Sequence, residues 1–266
     1  MTEYGKMNKI ARIVKNRQLT SASRQLWVIL LLPVWLTVFT ACSEEEAPKP
    51  REVVLTPIDD YISTDKVSGV MYVKNLPGSV GNTFRSGHEP VFFNLEAHKI
   101  INPYNEEGLL LELPDEEKKS NDWDVAFTSI YNSYITINNG DMEDSPGYGG
   151  QGRGAMIVMD ALFDEVDQAP SDEEFDAFMA EQAAAGWEDF PPGDKGWYFY
   201  SLDSHIMSAI TGVTIVVRTP DERYAKIEMQ SLYLDSPENP TVNTPAPYFT
   251  FRYYLQKDGS HNLTTQ

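Results

Sequence analysis

The chain has 266 residues, 21 basic and 40 acidic side chains and a formal charge of −19 at pH 7. Such an acidic balance argues against nucleic acid as a partner and against electrostatic docking on anionic lipid, since both need basic patches. Apolar residues at 41% and aromatics at 12% are enough for a real core, so the composition is not that of a disordered chain.

Residues 1–25 carry Lys6, Lys9, Arg12, Lys15, Arg17 and Arg24 against a single acid, Glu3. The apolar run Leu26–Phe39 follows, shorter than the roughly 20 residues that a membrane-spanning helix needs. A basic segment, a short apolar core and small residues before a cut form the layout of a signal peptide. Phe39-Thr40-Ala41-Cys42 resembles a bacterial lipobox, in which the cysteine after the cut receives lipid. Cys42 is the single cysteine of the chain, so no internal disulfide can form. Ser43 at the next position fits transfer to the outer membrane, and Glu44-Glu45-Glu46 resembles an acidic signal for display on the cell surface. The expected organisation is a signal peptide over 1–41 starting at Met1 or Met7, a lipidated acidic tether over 42–62, and one β domain over 63–266. Residues 1–41 hold six basic and one acidic side chain, which leaves 15 basic against 39 acidic groups, a formal charge of −24.

Short β-like runs, punctuated by Pro and Gly, fill the rest. Val67–Val73 and Pro90–Leu95 read as strands. Leu109-Leu110-Leu111 is followed by a charged turn at Asp115–Lys119. Trp123, Val125 and Phe127 alternate with Asp124, Ala126 and Thr128, which predicts a half-buried strand. Tyr134–Asn138 repeats the pattern, a glycine-rich loop spans Asn139–Gly154, and Ala155–Asp160 is β-like again. Val213–Val217, the turn Thr219–Glu222 and the alternating Tyr224–Met229 predict a hairpin. Tyr248–Leu255 is the last strand.

One helix stands out. Ser171 with Glu174 three residues on is a capping box. Phe175, Phe178, Met179 and Gln182 follow at helical spacing, and Gly186 is the expected stop. The fold class is therefore mainly β, a single antiparallel domain with one inserted short helix.

Catalytic and metal motifs are sparse. Gly147-Tyr148-Gly149-Gly150-Gln151-Gly152 matches a dinucleotide fingerprint, but a strand rather than a helix is expected to follow it. The histidines His88, His98, His205 and His261 are dispersed, without the spacing of a zinc site. Asp141, Glu143 and Asp144 lack the regular pattern of a calcium loop and read as solvated acids. No hydrolase elbow or phosphate-binding loop is present, which points away from an enzyme.

Five stretches, in order between Val67 and Leu263, resemble the HmuY-type haem-binding lipoproteins. They are Ser120–Phe127; Gly149–Ala155 with Phe163–Pro170; Gly196-Trp197-Tyr198-Phe199-Tyr200 with Ser204-His205-Ile206; Val217-Arg218-Thr219 with Tyr224–Ile227; and Tyr248–Tyr253. The resemblance implies a hand-like β fold at the cell surface. It also implies capture of haem and its delivery to a TonB-dependent outer-membrane receptor for iron acquisition. Members of the family hold the iron through two axial side chains, His in some and Met in others. His205 occupies the matching stretch, and Met207 two residues on is the alternative. The family's other ligand belongs to the variable insertion, here between Pro170 and Gly196, which holds no His and a single Met, Met179. Trp197 and Tyr198, with Trp187 and Phe190, are the expected aromatic walls. Two other functions stay open: a family-like scaffold that binds a non-haem ligand or a partner protein, and a surface enzyme acting on glycans or peptides.

Overall fold

The computed structural model describes residues 51–79 and 88–265. The expected signal peptide, Cys42 and the acidic triplet lie outside the described residues. The folded unit begins at Arg51. Its first strand, β1 (Leu55–Pro57), and the start of β2 (Ile62–Asp65) fall in the stretch expected to serve as tether.

Two antiparallel sheets carry the core. The larger has the order β1-β2-β3-β14-β13-β12-β8, with β3 Met71–Pro77, β8 Ala155–Met159, β12 Thr214–Arg218, β13 Tyr224–Ser231 and β14 Tyr248–Leu255. The second has the order β5-β4-β6-β7, from Lys99–Ile100, Val91–Asn94, Val125–Thr128 and Tyr134–Ile137. Strand β14 lies between β3 and β13, and its alternate residues Phe249, Phe251, Tyr253 and Leu255 are buried. They meet the second sheet ring on ring. Phe127 stacks on Phe249 with centroids 4.1 Å apart, and Phe93 meets Phe251 edge-on at 5.7 Å. Fully burying one such side chain contributes about 1.5–3 kcal/mol, so this aromatic layer holds the two sheets together.

Both sheets are also covered on their outer faces. Strand β6 (Val125–Thr128) was expected to be half-buried, yet Val125, Ala126 and Phe127 are all buried. The reason is a small outer cluster in which Phe92 and Ala126 pack on Leu113 and Trp123. Trp123 donates its Nε1–H to the Lys118 carbonyl at 2.8 Å, at the end of α1 (Asp115–Lys118), a single helical turn where the charged turn was expected. On the larger sheet, Val216, Ala155 and Tyr224 are covered by Phe175 of helix α2 (Asp172–Glu181). The capping box of α2 forms in both directions. The helix stops at Gln182 rather than running to Gly186. The Gln182 amide, itself buried, bonds the carbonyls of Ala184 and Lys195 and the Lys195 N–H, and so turns the chain back.

The strand expected over Val67–Val73 starts only at Met71. Asp65 captures the Val67 N–H and the Ser68 hydroxyl, Gly69 turns at φ +75°, and Arg51 pairs with the same carboxylate. A third, three-stranded sheet, β11-β10-β9, from Met207–Ala209, Gly196–Tyr200 and Gly186–Trp187, completes the architecture and includes one parallel pair, β9 with β10.

Candidate functional site

Strands β9 (Gly186–Trp187), β10 (Gly196–Tyr200) and β11 (Met207–Ala209) make one wall of a cavity of about 860 Å³. That volume falls in the usual range for a small-molecule site, roughly 300–1,000 Å³. Along β10 the alternation of the strand sends Tyr198 and Tyr200 to the cavity, whereas Trp197 and Phe199 do not line it. Trp187 and Phe190 stack with centroids 4.4 Å apart, and Tyr200 meets Trp187 edge-on at 5.2 Å. Phe190, 54% exposed, stands at the mouth. Its loop is fixed by Asp189, which sits at φ +60°, accepts the Gly193 N–H at 2.7 Å and donates its own to the Asp194 carbonyl.

His205 closes the β10–β11 hairpin with φ +57°. Its N–H bonds the Ser201 carbonyl at 2.8 Å, and its Nδ1 lies 2.8 Å from the Tyr200 hydroxyl. That contact orients the ring and leaves Nε2 as the nitrogen open to a ligand. Met207, half-buried in the same wall, donates its N–H to the Tyr233 hydroxyl at 3.0 Å.

A second part of the lining comes from the turn between β6 and β7, which adjoins β10 through Ser133 and Tyr198. Here Ser129, Tyr131 and Asn132 all have positive φ, at +66°, +52° and +51°. Such conformations cost about 1–3 kcal/mol each and persist only where the surroundings over-determine them. Asn132 supplies that constraint. Its buried amide accepts from the Ser79 N–H and hydroxyl and donates to the carbonyls of Glu89 and Phe127. A third side comes from residues 241–246 of the β13–β14 connection. That loop is pinned by the Leu234 N–H to the Pro245 carbonyl and by reciprocal 2.8 Å bonds between Asn75 and Asp235.

Among the described residues that line the cavity, none is Asp, Glu, Lys or Arg. Its polarity comes from phenols, hydroxyls, the His205 imidazole and the amide of Asn243. Tyr198, buried, shares its hydroxyl with Ser133 Oγ at 3.1 Å, and burial holds its phenol well above the usual range.

His205, Met207 and Tyr198 are thus brought together, with Trp187 and Phe190 beside them. Trp197 lies behind the wall, buried, with its Nε1–H on the Ser133 carbonyl at 2.8 Å. Met179 is not among the lining residues: it packs between α2 and β8, where its sulfur accepts the Met156 N–H at 3.3 Å. Sequence reasoning missed Tyr131, Tyr134, Tyr233 and the 241–246 loop. Only the alternating aromatics of β10 carried a signal, and it would have found Tyr200.

The glycine-rich loop has a packing role. A Cβ on Gly147 would stand 2.7 Å from Asn138 Oδ1 and 3.1 Å from the Trp123 ring, and one on Gly152 would stand 2.5 Å from the same Oδ1. The loop folds over the Asn138 amide and leads into β8, a strand. Asp141 is paired with Arg153 at 2.9 Å, while Glu143 and Asp144 line a second, polar cleft of about 590 Å³ whose Lys118 is paired with Glu112 and Asp115.

No family model and no curated protein matches the chain. Solved structures similar to it include an apo HmuY analog from Tannerella forsythia, at 13% identity and a TM-score of 0.38, covering 79% of this chain and 100% of that one. A Bacteroides fragilis chain described as a lipoprotein has 13% identity and a TM-score of 0.32, covering 77% and 97%. A Bacteroides vulgatus chain described as a HmuY-like heme binding protein has 12% identity and a TM-score of 0.34, also covering 77% and 97%.

Proposed function

We propose that this chain is a lipoprotein, anchored through Cys42 in the outer membrane and facing the exterior, that binds haem in the aromatic cavity and passes it to a TonB-dependent receptor. It acts as a carrier and has no catalysis of its own. One observation carries the haem reading: a cavity of about 860 Å³ is walled by the Trp187–Phe190 stack and holds a histidine whose Nε2 is open. A flat apolar macrocycle gains most of its affinity from such walls, and an imidazole is an ordinary axial ligand for its iron. The five stretches that resemble HmuY-type proteins support the same assignment, as does the lipobox-like Ala41-Cys42 for the anchor.

The residues fit such a cargo in part. His205 is placed to bind iron from one wall, with Met207 beside it. Met179, the expected partner ligand, packs against β8 instead. The uncharged lining favours a second reading, in which the same scaffold takes a neutral aromatic ligand other than haem.

Haemin titration of the purified protein, followed in the Soret region, separates the two. The haem reading expects a sharp, saturable band that broadens and shifts in His205→Ala. Absence of any saturable band, with oxidised and with reduced haem, would transfer the assignment to the second reading.

A further inference from the structure

The hairpin of β1 with β2 contributes no residue to the cavity lining. Along its first arm, residues 51–61, only Thr56 is even half-buried. Five of the exposed side chains there are large and apolar: Val53, Val54, Leu55, Ile58 and Tyr61, between 40% and 69% exposed. Tyr104, also exposed, lies close enough to Tyr61 for the two phenols to interact and extends the patch. Strand β1 is the edge of the larger sheet, paired to β2 alone. A contiguous apolar surface of this kind marks a place of contact.

Two facts indicate what covers it. The first is where the chain enters the fold. Arg51 pairs with the buried carboxylate of Asp65, which lies opposite Leu55 in the β1–β2 register, so the entry point is fixed at the base of the hairpin. Cys42 stands nine residues earlier. Such a stretch spans about 30 Å even when fully extended. A lipid on Cys42 therefore keeps the base of the hairpin within that distance of the bilayer. The second fact is charge. Once Arg51 and Asp65 have paired, the charges left on residues 51–65 are Glu52, Asp59 and Asp60, all exposed. Anionic headgroups would repel them, whereas zwitterionic lipid leaves the apolar contact unopposed. An open sheet edge does not enter hydrocarbon, so the depth is limited to the headgroup boundary.

We propose that the β1–β2 hairpin is a membrane-contact edge, which rests its apolar side chains in the headgroup region of a zwitterionic surface beside the lipid of Cys42. The inference rests on the lipid anchor assigned to Cys42 and is independent of the haem reading.

The test is site-specific fluorescence of the full lipidated protein in phosphatidylcholine vesicles. Lipid consumes the thiol of Cys42, the single cysteine, so Val54→Cys, Ile58→Cys and Leu202→Cys each offer one free thiol to a nitrobenzoxadiazole dye. All three residues are exposed, so the dye leaves the core packing alone. The expected result is a blue shift and protection from iodide at Val54 and Ile58 but not at Leu202, with a smaller effect when phosphatidylglycerol is added to the vesicles. The inference is overturned if the dyes at Val54 and Ile58 stay open to iodide on vesicles, or if the dye at Leu202 is protected equally. It is also overturned if protection grows with protein concentration in the absence of vesicles, which gives the edge to a second copy of the chain. Mass spectrometry of the mature N-terminal peptide separates the two failures. Absence of lipid on Cys42 removes the anchor and this inference with it, whereas a lipidated protein whose dyes stay open removes this inference alone.

Discussion

Lys226 is buried, and its ammonium is caged by the carbonyls of Phe163 and Val166 at 2.8 and 3.0 Å, the Thr265 hydroxyl at 3.2 Å and the face of the Phe163 ring. Burial lowers its pKa from 10.5 to about 8, although nearby acids oppose the shift. Between those values the unfolded chain binds the proton more tightly than the folded one. Stability should therefore rise with pH from about 8 towards 10.5. Urea midpoints should climb between about pH 7.5 and 9.5, and Lys226→Met should flatten that slope; a parent whose midpoint is level across the interval would refute the assignment. Asp124 behaves in the opposite sense. It is buried, accepts the Leu95 N–H at 2.7 Å, and burial raises its pKa from 3.8 to about 6. Its contribution is complete below about 3.8 and is lost as pH rises through 6, so Asp124→Asn should be less sensitive to pH over that interval. Asn132 is the residue that joins stability to the site. Asn132→Ala would strand the Ser79 donors and the carbonyls of Glu89 and Phe127. A loss of about 3 kcal/mol by denaturant unfolding is expected, since a buried polar group left unpaired costs about 1–3 kcal/mol. None of these three environments can be read from sequence: a lysine in an alternating strand, Tyr224–Ser231, ought to face water, and only the cover of the Phe163 turn and the chain end buries it.

At the scale of elements, local chemistry was well written in the chain. The capping box at Ser171 forms as its spacing requires, and Ser171→Ala should cost about 1 kcal/mol of stability, measured by thermal or urea unfolding. Strand β14 was legible to the residue because period-two alternation of large aromatics has few other solutions. The wall of the site was not. Strands β9 and β11 are two and three residues long, too short for any period to register. Gly186 illustrates the difficulty. In the sequence it looks like a helix stop, whereas in the fold it starts β9 beneath the Tyr134 ring, where a Cβ would lie 2.4 Å from ring carbons. Gly186→Ala should therefore push Tyr134 out of the cavity wall, lower stability by about 1–3 kcal/mol and weaken haemin binding together with it. A variant that loses stability while keeping its haemin affinity would show that Tyr134 does not shape the site.

At the scale of the whole molecule, charge is segregated from the cavity. The chain is strongly acidic, yet the described residues that line the cavity bear no formal charge. Under the haem reading, a haem held there would be gripped by stacking and iron ligation, and its propionates would find hydroxyls or solvent in place of a lysine or arginine. Added salt should not weaken binding. It should speed association of the anionic ligand with the acidic protein, because screening relieves repulsion over distances beyond about 10 Å. A stopped-flow series in sodium chloride checks this, and a steep fall in affinity with salt would reveal a cation that the cavity lining does not contain.

The sequence by itself determined the class of the molecule: the acidic balance and a mainly β chain with one capped helix, and it marked the stretch from Gly196 to Met207 as a place to look. These follow from composition and from interactions within a few residues, which one strand or one helical turn displays in full. The tertiary structure alone decided which side chains share the cavity. It brought Tyr131 and Tyr233 into one lining with His205, drew in the loop 241–246, and left Met179 packed on β8. The walls come from the β6–β7 turn, the β9–β11 sheet and the β13–β14 connection. Their meeting is fixed by how the sheets pack, and a linear pattern carries no record of that distance.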